Sequence, residues 1–180
     1  ATVFLRAEDL GLTGTELPAV IEADDGLKAR LERLRCAGAV AMGLGDDPAW
    51  ISANQPATPK VALIAPSRGY TASDGTDVKR DDVDVVSRIL SMGLAHHTYT
   101  GTGAIALAVA ARVPGTLVHE CAREGETLRI GHPAGVLPAT ADVAVDPDGR
   151  VIARRARLFR TARTLMVGEV PLPSAVMGVP

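Results

Sequence analysis

The sequence predicts an α+β domain, and three observations carry that prediction. Short β-rich runs bounded by Gly, Pro and Asp recur along the chain. One segment near the start has amphipathic helical spacing. One stretch, 101–113, is almost wholly small or apolar. Many strands, few helices and one apolar helix imply a mixed or antiparallel sheet wrapped around a central helix, because a helix apolar on all sides has to be covered.

The elements follow in order. Thr2 to Leu5 is a short strand, followed by a turn over Leu10-Gly11-Leu12-Thr13-Gly14. Thr15 reads as an N-cap with Glu16 in the first helical turn, where a carboxylate suits the dipole, and Pro18 is tolerated there. Leu17, Val20, Ile21, Leu27, Leu31 and Leu34 recur at helical spacing, which predicts a helix of some twenty residues broken near Asp25-Gly26. Cys36 extends its apolar character and reads as a buried structural thiol. Residues 45–59 are rich in Gly, Asp and Pro and predict a loop. Val61 to Ala65, bounded by Pro59 and Pro66, predicts a buried strand, and 67–77 a further loop. Asp81 to Met92 fits either period, and its β-branched content favours a strand for the middle. The Ala-rich run 101–113 favours a helix ended by Pro114-Gly115. Strands are then expected over 116–119, 127–130, 136–145, 151–160 and 164–170, with a turn at Asp146-Pro147-Asp148-Gly149.

Composition excludes several classes. The 180 residues are 47% hydrophobic and 22% charged, which suits a chain with one real core and rules out wholesale disorder. The net charge of −2 offers no electrostatic case for nucleic acid or an anionic membrane. No apolar run is long enough for a transmembrane helix. Cys36 and Cys121 show no metal-ligand or disulfide spacing, so a reducing, cytoplasmic setting is expected. Lysine occurs only at 28, 60 and 79, and every other basic side chain is arginine. Residue 1 is Ala and a strand begins at once, so a natural preceding segment is expected.

The chemistry concentrates between Ser91 and Gly103. Thr100-Gly101-Thr102-Gly103 enters the apolar helix, and a helix N-terminus offers unpaired N–H groups and a positive dipole end to an anion. No lysine follows as in a nucleoside-triphosphate loop, so a carboxylate fits as well as a phosphate. A plain N-cap is the alternative. Just upstream, His96-His97 can donate hydrogen bonds near neutral pH. No third ligand stands at metal spacing. Cys121, in Glu120-Cys121-Ala122-Arg123-Glu124, reads as part of a solvated turn or strand end.

Several segments, in order, resemble one family. Leu90-Ser91-Met92-Gly93-Leu94-Ala95-His96-His97, then Gly101-Thr102 and Pro114-Gly115-Thr116, resemble the PrpF-type 2-methylaconitate isomerases, which share the diaminopimelate-epimerase-like fold. So do Leu10 to Pro18, Gly131-His132-Pro133-Ala134-Gly135-Val136-Leu137 and Thr161 to Gly168. The resemblance implies a two-domain enzyme of which this chain, 1–180, is the C-terminal-type domain, without the N-terminal catalytic domain. It implies cofactor-independent and metal-independent isomerisation, by proton transfer, of unsaturated carboxylates such as 2-methylaconitate, 4-oxalomesaconate or methylitaconate. Related diaminopimelate epimerases place a cysteine where this chain has Thr100. A threonine hydroxyl cannot replace a thiolate base. The family's acid/base Cys and Lys belong to the first domain, so no catalytic residue is expected in this chain. The resemblance assigns Ser91, Met92, His97, Gly101 and Thr102 to substrate contact, and the helix-end physics adds Thr100 and Gly103. The partners implied are the N-terminal domain, covalent or separate, and a small unsaturated carboxylate. A homodimer remains open. The competing readings are a non-catalytic carboxylate-binding or dimerising module, and an epimerase or racemase with an altered second base.

Overall fold

The structure is a computed structural model that describes residues 1–159, 162–169 and 171–172. The chain runs β1 (Thr2–Arg6), α1 (Pro18–Glu22), α2 (Asp25–Ala41), α3 (Pro48–Asn54), β2 (Lys60–Pro66), β3 (Tyr70–Thr71), β4 (Asp77–Val78), β5 (Val85–Ser91), β6 (Leu94–Ala95), α4 (Gly101–Ala110), α5 (Leu117–Cys121), β7 (Thr127–His132), β8 (Gly135–Val145) and β9 (Val151–Leu158). The main sheet has the order β1-β2-β5-β7-β8-β9, with β6 paired to β5, and a separate β3–β4 hairpin lies outside it. β1 with β2 and β5 with β7 are parallel, and the other pairs are antiparallel. The expected mixed sheet is therefore present.

The sheet curls around α4. Ala104, Leu107 and Ala108 of that helix are buried with Ala62, Ile64, Val85, Ile89, Leu128, Ile130 and Ala139 of four strands. The other face of β2 and β5 is covered by α1 and α2, through Ile21, Leu27 and Leu31 against Val61, Leu63 and Leu90. β5 is buried on both faces, which is why neither period dominates its sequence. α4 is not covered all round: Thr102 and Ile105 face solvent, with Ile105 37% exposed.

β5 also marks a split in the sheet. Its pairing with β7 covers only Val85–Ile130 and Val86–Gly131. Beyond that point buried carbonyls need other donors. Arg88 Nη1 donates to the Ser87 carbonyl at 2.9 Å, and the His96 N–H donates to the Ile89 carbonyl at 2.9 Å. Arg88 is buried, and its Nε ties the 13–17 loop to the sheet by donating to the Glu16 carbonyl at 2.6 Å.

Several sequence expectations are corrected. Thr15 is not an N-cap. Glu16 instead accepts from the N–H groups of Thr13 and Gly14, at 2.6 and 2.9 Å, so the segment closes as a loop and α1 starts at Pro18. The helix break falls at Asp24, whose carboxylate caps α2 by accepting from the Leu27 N–H at 2.9 Å. The expected 45–59 loop contains α3, capped by Asp47 with Pro48 opening the helix. Residues 117–121 form a helix rather than a strand, because Thr116 Oγ1 accepts from the His119 N–H at 3.1 Å. Cys121 is consequently buried, at 5% exposure, and not in a solvated turn. The strand expected at 164–170 is not formed over 164–169, and residue 170 lies outside the described residues. Residue 160, the end of the strand expected at 151–160, lies outside them too.

Candidate functional site

The first wall of the site is the hairpin tip between β5 and β6. Ser91 pairs with Leu94, so Met92 and Gly93 form a two-residue connection. Both have positive φ, 55° and 76°. That is the turn whose twist matches a hairpin, and it normally recruits Asn-Gly. Met92 is the one non-glycine residue with positive φ among the described residues, and it is 63% exposed. A left-handed conformation costs an L-residue about 1–2 kcal/mol. An apolar side chain held there in solvent is an outlier of the kind that accumulates at functional sites.

Ser91, Met92, Leu94, Ala95, His96 and His97 line one open depression of about 410 Å³. Ser91 and His96 are half-buried and His97 is exposed. Burial holds His96 below its usual pKa, reinforced by the nearby Lys60 ammonium and by His97. A neutral imidazole beside a lysine keeps a donor available without adding charge. Lys60 was not singled out in the sequence. The signal was its rarity: it is one of three lysines, and a second, Lys28, lines another groove that includes Ser91, Met92 and Gly93.

The second wall is the start of α4. Tyr99, 7% exposed, anchors the segment that leads into it. Its hydroxyl lies 2.9 Å from Ser87 Oγ, which itself donates to the Leu63 carbonyl at 2.9 Å. Thr100 is the N-cap: its Oγ1 accepts from the Gly103 N–H at 3.2 Å and its carbonyl from the Ala104 N–H at 2.9 Å. The N–H groups of Gly101 and Thr102 have no acceptor among the described residues, and Thr102 is exposed. These two positions keep the donor geometry expected for an anion.

Thr100 and Gly103 have different parts from the ones the helix-end reading gave them. The Gly103 N–H is already occupied, and Gly103 is buried. A Cβ there would collide with Ile89 Cδ1 and with Thr100 Oγ1. Its glycine permits close packing on β5 rather than approach of a ligand. The helix start is also not part of the lining of the 410 Å³ depression. The two walls are joined through Thr98 and Tyr99.

Neither cysteine is poised as a base. Burial raises the thiol pKa of both Cys36 and Cys121, and Glu32 raises that of Cys36 further. Among the described residues no three His, Cys, Asp or Glu side chains cluster as metal ligands. No helix of the described residues is long and apolar enough to cross a membrane.

The fold and these two walls define an α+β domain that exposes imidazole, hydroxyl and backbone N–H groups with a lysine nearby. Comparison with known proteins makes this specific. The sequence model of the family described as PrpF protein matches residues 1–173, and the chain belongs to that family. It is 44% identical over 177 residues to 2-methyl-aconitate isomerase of Shewanella oneidensis, an alignment covering 96% of this chain and 43% of that protein. It is 40% identical over 177 residues to 3-methylitaconate isomerase of Eubacterium barkeri, covering 96% of this chain and 45% of that protein. The crystal structure of a methylitaconate-delta-isomerase superposes with a TM-score of 0.79 at 37% identity, covering 88% of this chain and 42% of the other. The chain spans less than half the length of these relatives.

Proposed function

We propose that this chain supplies the substrate-carboxylate half of an isomerase acting on small unsaturated di- or tricarboxylates of the methylaconitate and methylitaconate type. The observation that carries the reading is alignment of nearly the whole chain, at 40–44% identity, with less than half of each of two isomerases. Ser91, Met92, His97, Gly101 and Thr102 contact the substrate. Thr100 fixes the helix start on which two of those contacts depend. A carboxylate at this helix end gains about 0.3–1 kcal/mol per interaction at the surface, and more where water is excluded.

The proton-transfer groups belong to the remaining polypeptide, joined to this chain or separate from it. Two observations support that division. The two thiols here are buried and shifted away from the thiolate. An apolar surface also borders the first wall: Leu17, just before α1, and Val20 of α1, with Met92 and Leu94, are 38%, 59%, 63% and 62% exposed. The Ala95 N–H of β6 donates to Glu22 of α1 at 3.2 Å, so these residues lie on adjoining elements. Exposed apolar patches of this kind mark interfaces, and the proposed occupant is the catalytic domain. The reaction needs no metal or organic cofactor.

The test is steady-state kinetics of the assembled enzyme with 2-methylaconitate. Ser91→Ala and His97→Gln are expected to raise KM about 5–50-fold, roughly 1–2.3 kcal/mol of lost hydrogen bonding. KM unchanged in both variants would remove the hairpin tip from the substrate site.

A further inference from the structure

We infer that Arg35, on the outer helix α2, is a positioning residue for the Ser91–Gly93 turn, an inference that rests on the functional reading above. Arg35 is 3% exposed. Its Nε and Nη2 donate to the two carboxylate oxygens of Glu32, at 2.8 and 2.7 Å. That two-pronged pair fixes the plane of the guanidinium. Nη1 then points away from α2 and donates to the carbonyls of Gln55 and Thr58, at 2.9 and 3.0 Å. The 55–58 segment, which links α3 to β2, is clamped at both ends by one nitrogen.

Between those clamped carbonyls lies Pro56, and its carbonyl accepts from the Met92 N–H at 3.2 Å. In a two-residue hairpin that amide points away from the partner strand, so it requires an outside acceptor or water. The path is continuous: Glu32 orients Arg35, Arg35 holds 55–58, and Pro56 holds Met92. The same groove confirms the proximity, since Glu32, Arg35, Val61, Leu90, Ser91 and Met92 all line it. Ser52 of α3 adds a brace by donating to Glu32 Oε1 at 2.7 Å. The exposed Met92 tip is thereby tied to a buried cation, whose groove shares Ser91 and Met92 with the substrate depression.

Lysine cannot reproduce this geometry, because one ammonium does not offer a planar fork and two further donors at once. The experiment is Arg35→Lys in the assembled enzyme, read by amide hydrogen exchange and by kinetics with 2-methylaconitate. The expected result is at least tenfold faster exchange at the Met92 amide with Leu90 unchanged, and KM raised about 5–20-fold with kcat within twofold. Glu32→Gln, which leaves the arginine but loosens its orientation, should show the same pattern more weakly, and it serves if the lysine variant fails to fold. Unchanged Met92 exchange in a folded variant overturns the inference. So does an unchanged KM in Arg35→Lys when Ser91→Ala and His97→Gln do raise KM. If those two variants leave KM unaltered while Met92 exchange still quickens, the substrate site is misplaced but Arg35 holds the turn. If Arg35→Lys lowers kcat and KM-independent stability together without local exchange at Met92, the residue is only structural and the inference fails.

Discussion

At the residue scale, Met92 and Thr100 show how the site is held. Thr100 spends its hydroxyl on the Gly103 N–H. That bond places the free N–H groups of Gly101 and Thr102 side by side, while a thiol in the same place could not cap as well. Thr100→Ala is expected to cost about 1 kcal/mol of stability, measured by urea denaturation, and to weaken carboxylate binding as the helix start frays. Met92 takes the opposite course, because its backbone is strained while its side chain is exposed. Met92→Asn should stabilise the fold by about 1 kcal/mol, since Asn tolerates the left-handed region. The same variant should raise KM for the substrate. A loss of stability with no change in KM would mean that the methionine is there for packing.

At the element scale, α4 is both the core and the site's second wall. Gly103→Ala would press a methyl group into Ile89 and Thr100 and should cost about 1–3 kcal/mol, read as a lowered urea midpoint. Tyr99→Phe removes the bond to the Ser87 hydroxyl and should cost about 0.5–1.5 kcal/mol without altering the fold. α4 was readable in the sequence because its Ala-rich run is long, and β2 because prolines bound its apolar run. α3 and α5 were not readable. Each is short, and each is decided by a single capping side chain, Asp47 or Thr116, rather than by periodicity. The candidate site at Ser91–His97 and Gly101–Thr102 is proposed from its ordered motifs and the helix end. What could not be read was which N–H groups the cap leaves free, or that Arg35 and Lys60, distant in sequence, border the turn. The first depends on the local geometry of the Thr100 cap, and the second on long-range packing, including the register of β2 against β5.

At the scale of the whole molecule, His132 and Glu32 each contribute to the response to acid. His132 is 8% exposed, and burial, with the neighbouring Arg88 charge, lowers its pKa to about 4. Its Nδ1 accepts from the Ala134 N–H at 3.2 Å, so the folded protein uses the neutral ring. The unfolded chain takes up a proton near pH 6.5, before the folded protein does, so stability falls progressively from about pH 6.5 to about 4. Glu32 behaves as a paired carboxylate: its bond to Arg35 outweighs burial and holds its pKa at about 2. Its contribution is complete above the unfolded carboxylate range and is lost as pH falls from about 4.5 toward 2. Urea midpoints across pH 4–7 should therefore slope in the wild type and flatten in His132→Asn. An unchanged slope in that variant would assign the acid sensitivity elsewhere.

The division of labour between this chain and the rest of the enzyme is the central claim. Its most direct measurement follows isomerisation of 2-methylaconitate in deuterium oxide, with the 180-residue chain alone and with the remaining polypeptide restored. The account predicts neither isomer nor deuterium incorporation from the folded chain alone, and both from the assembled enzyme. Turnover by the chain alone, or none from two folded parts combined, would contradict it.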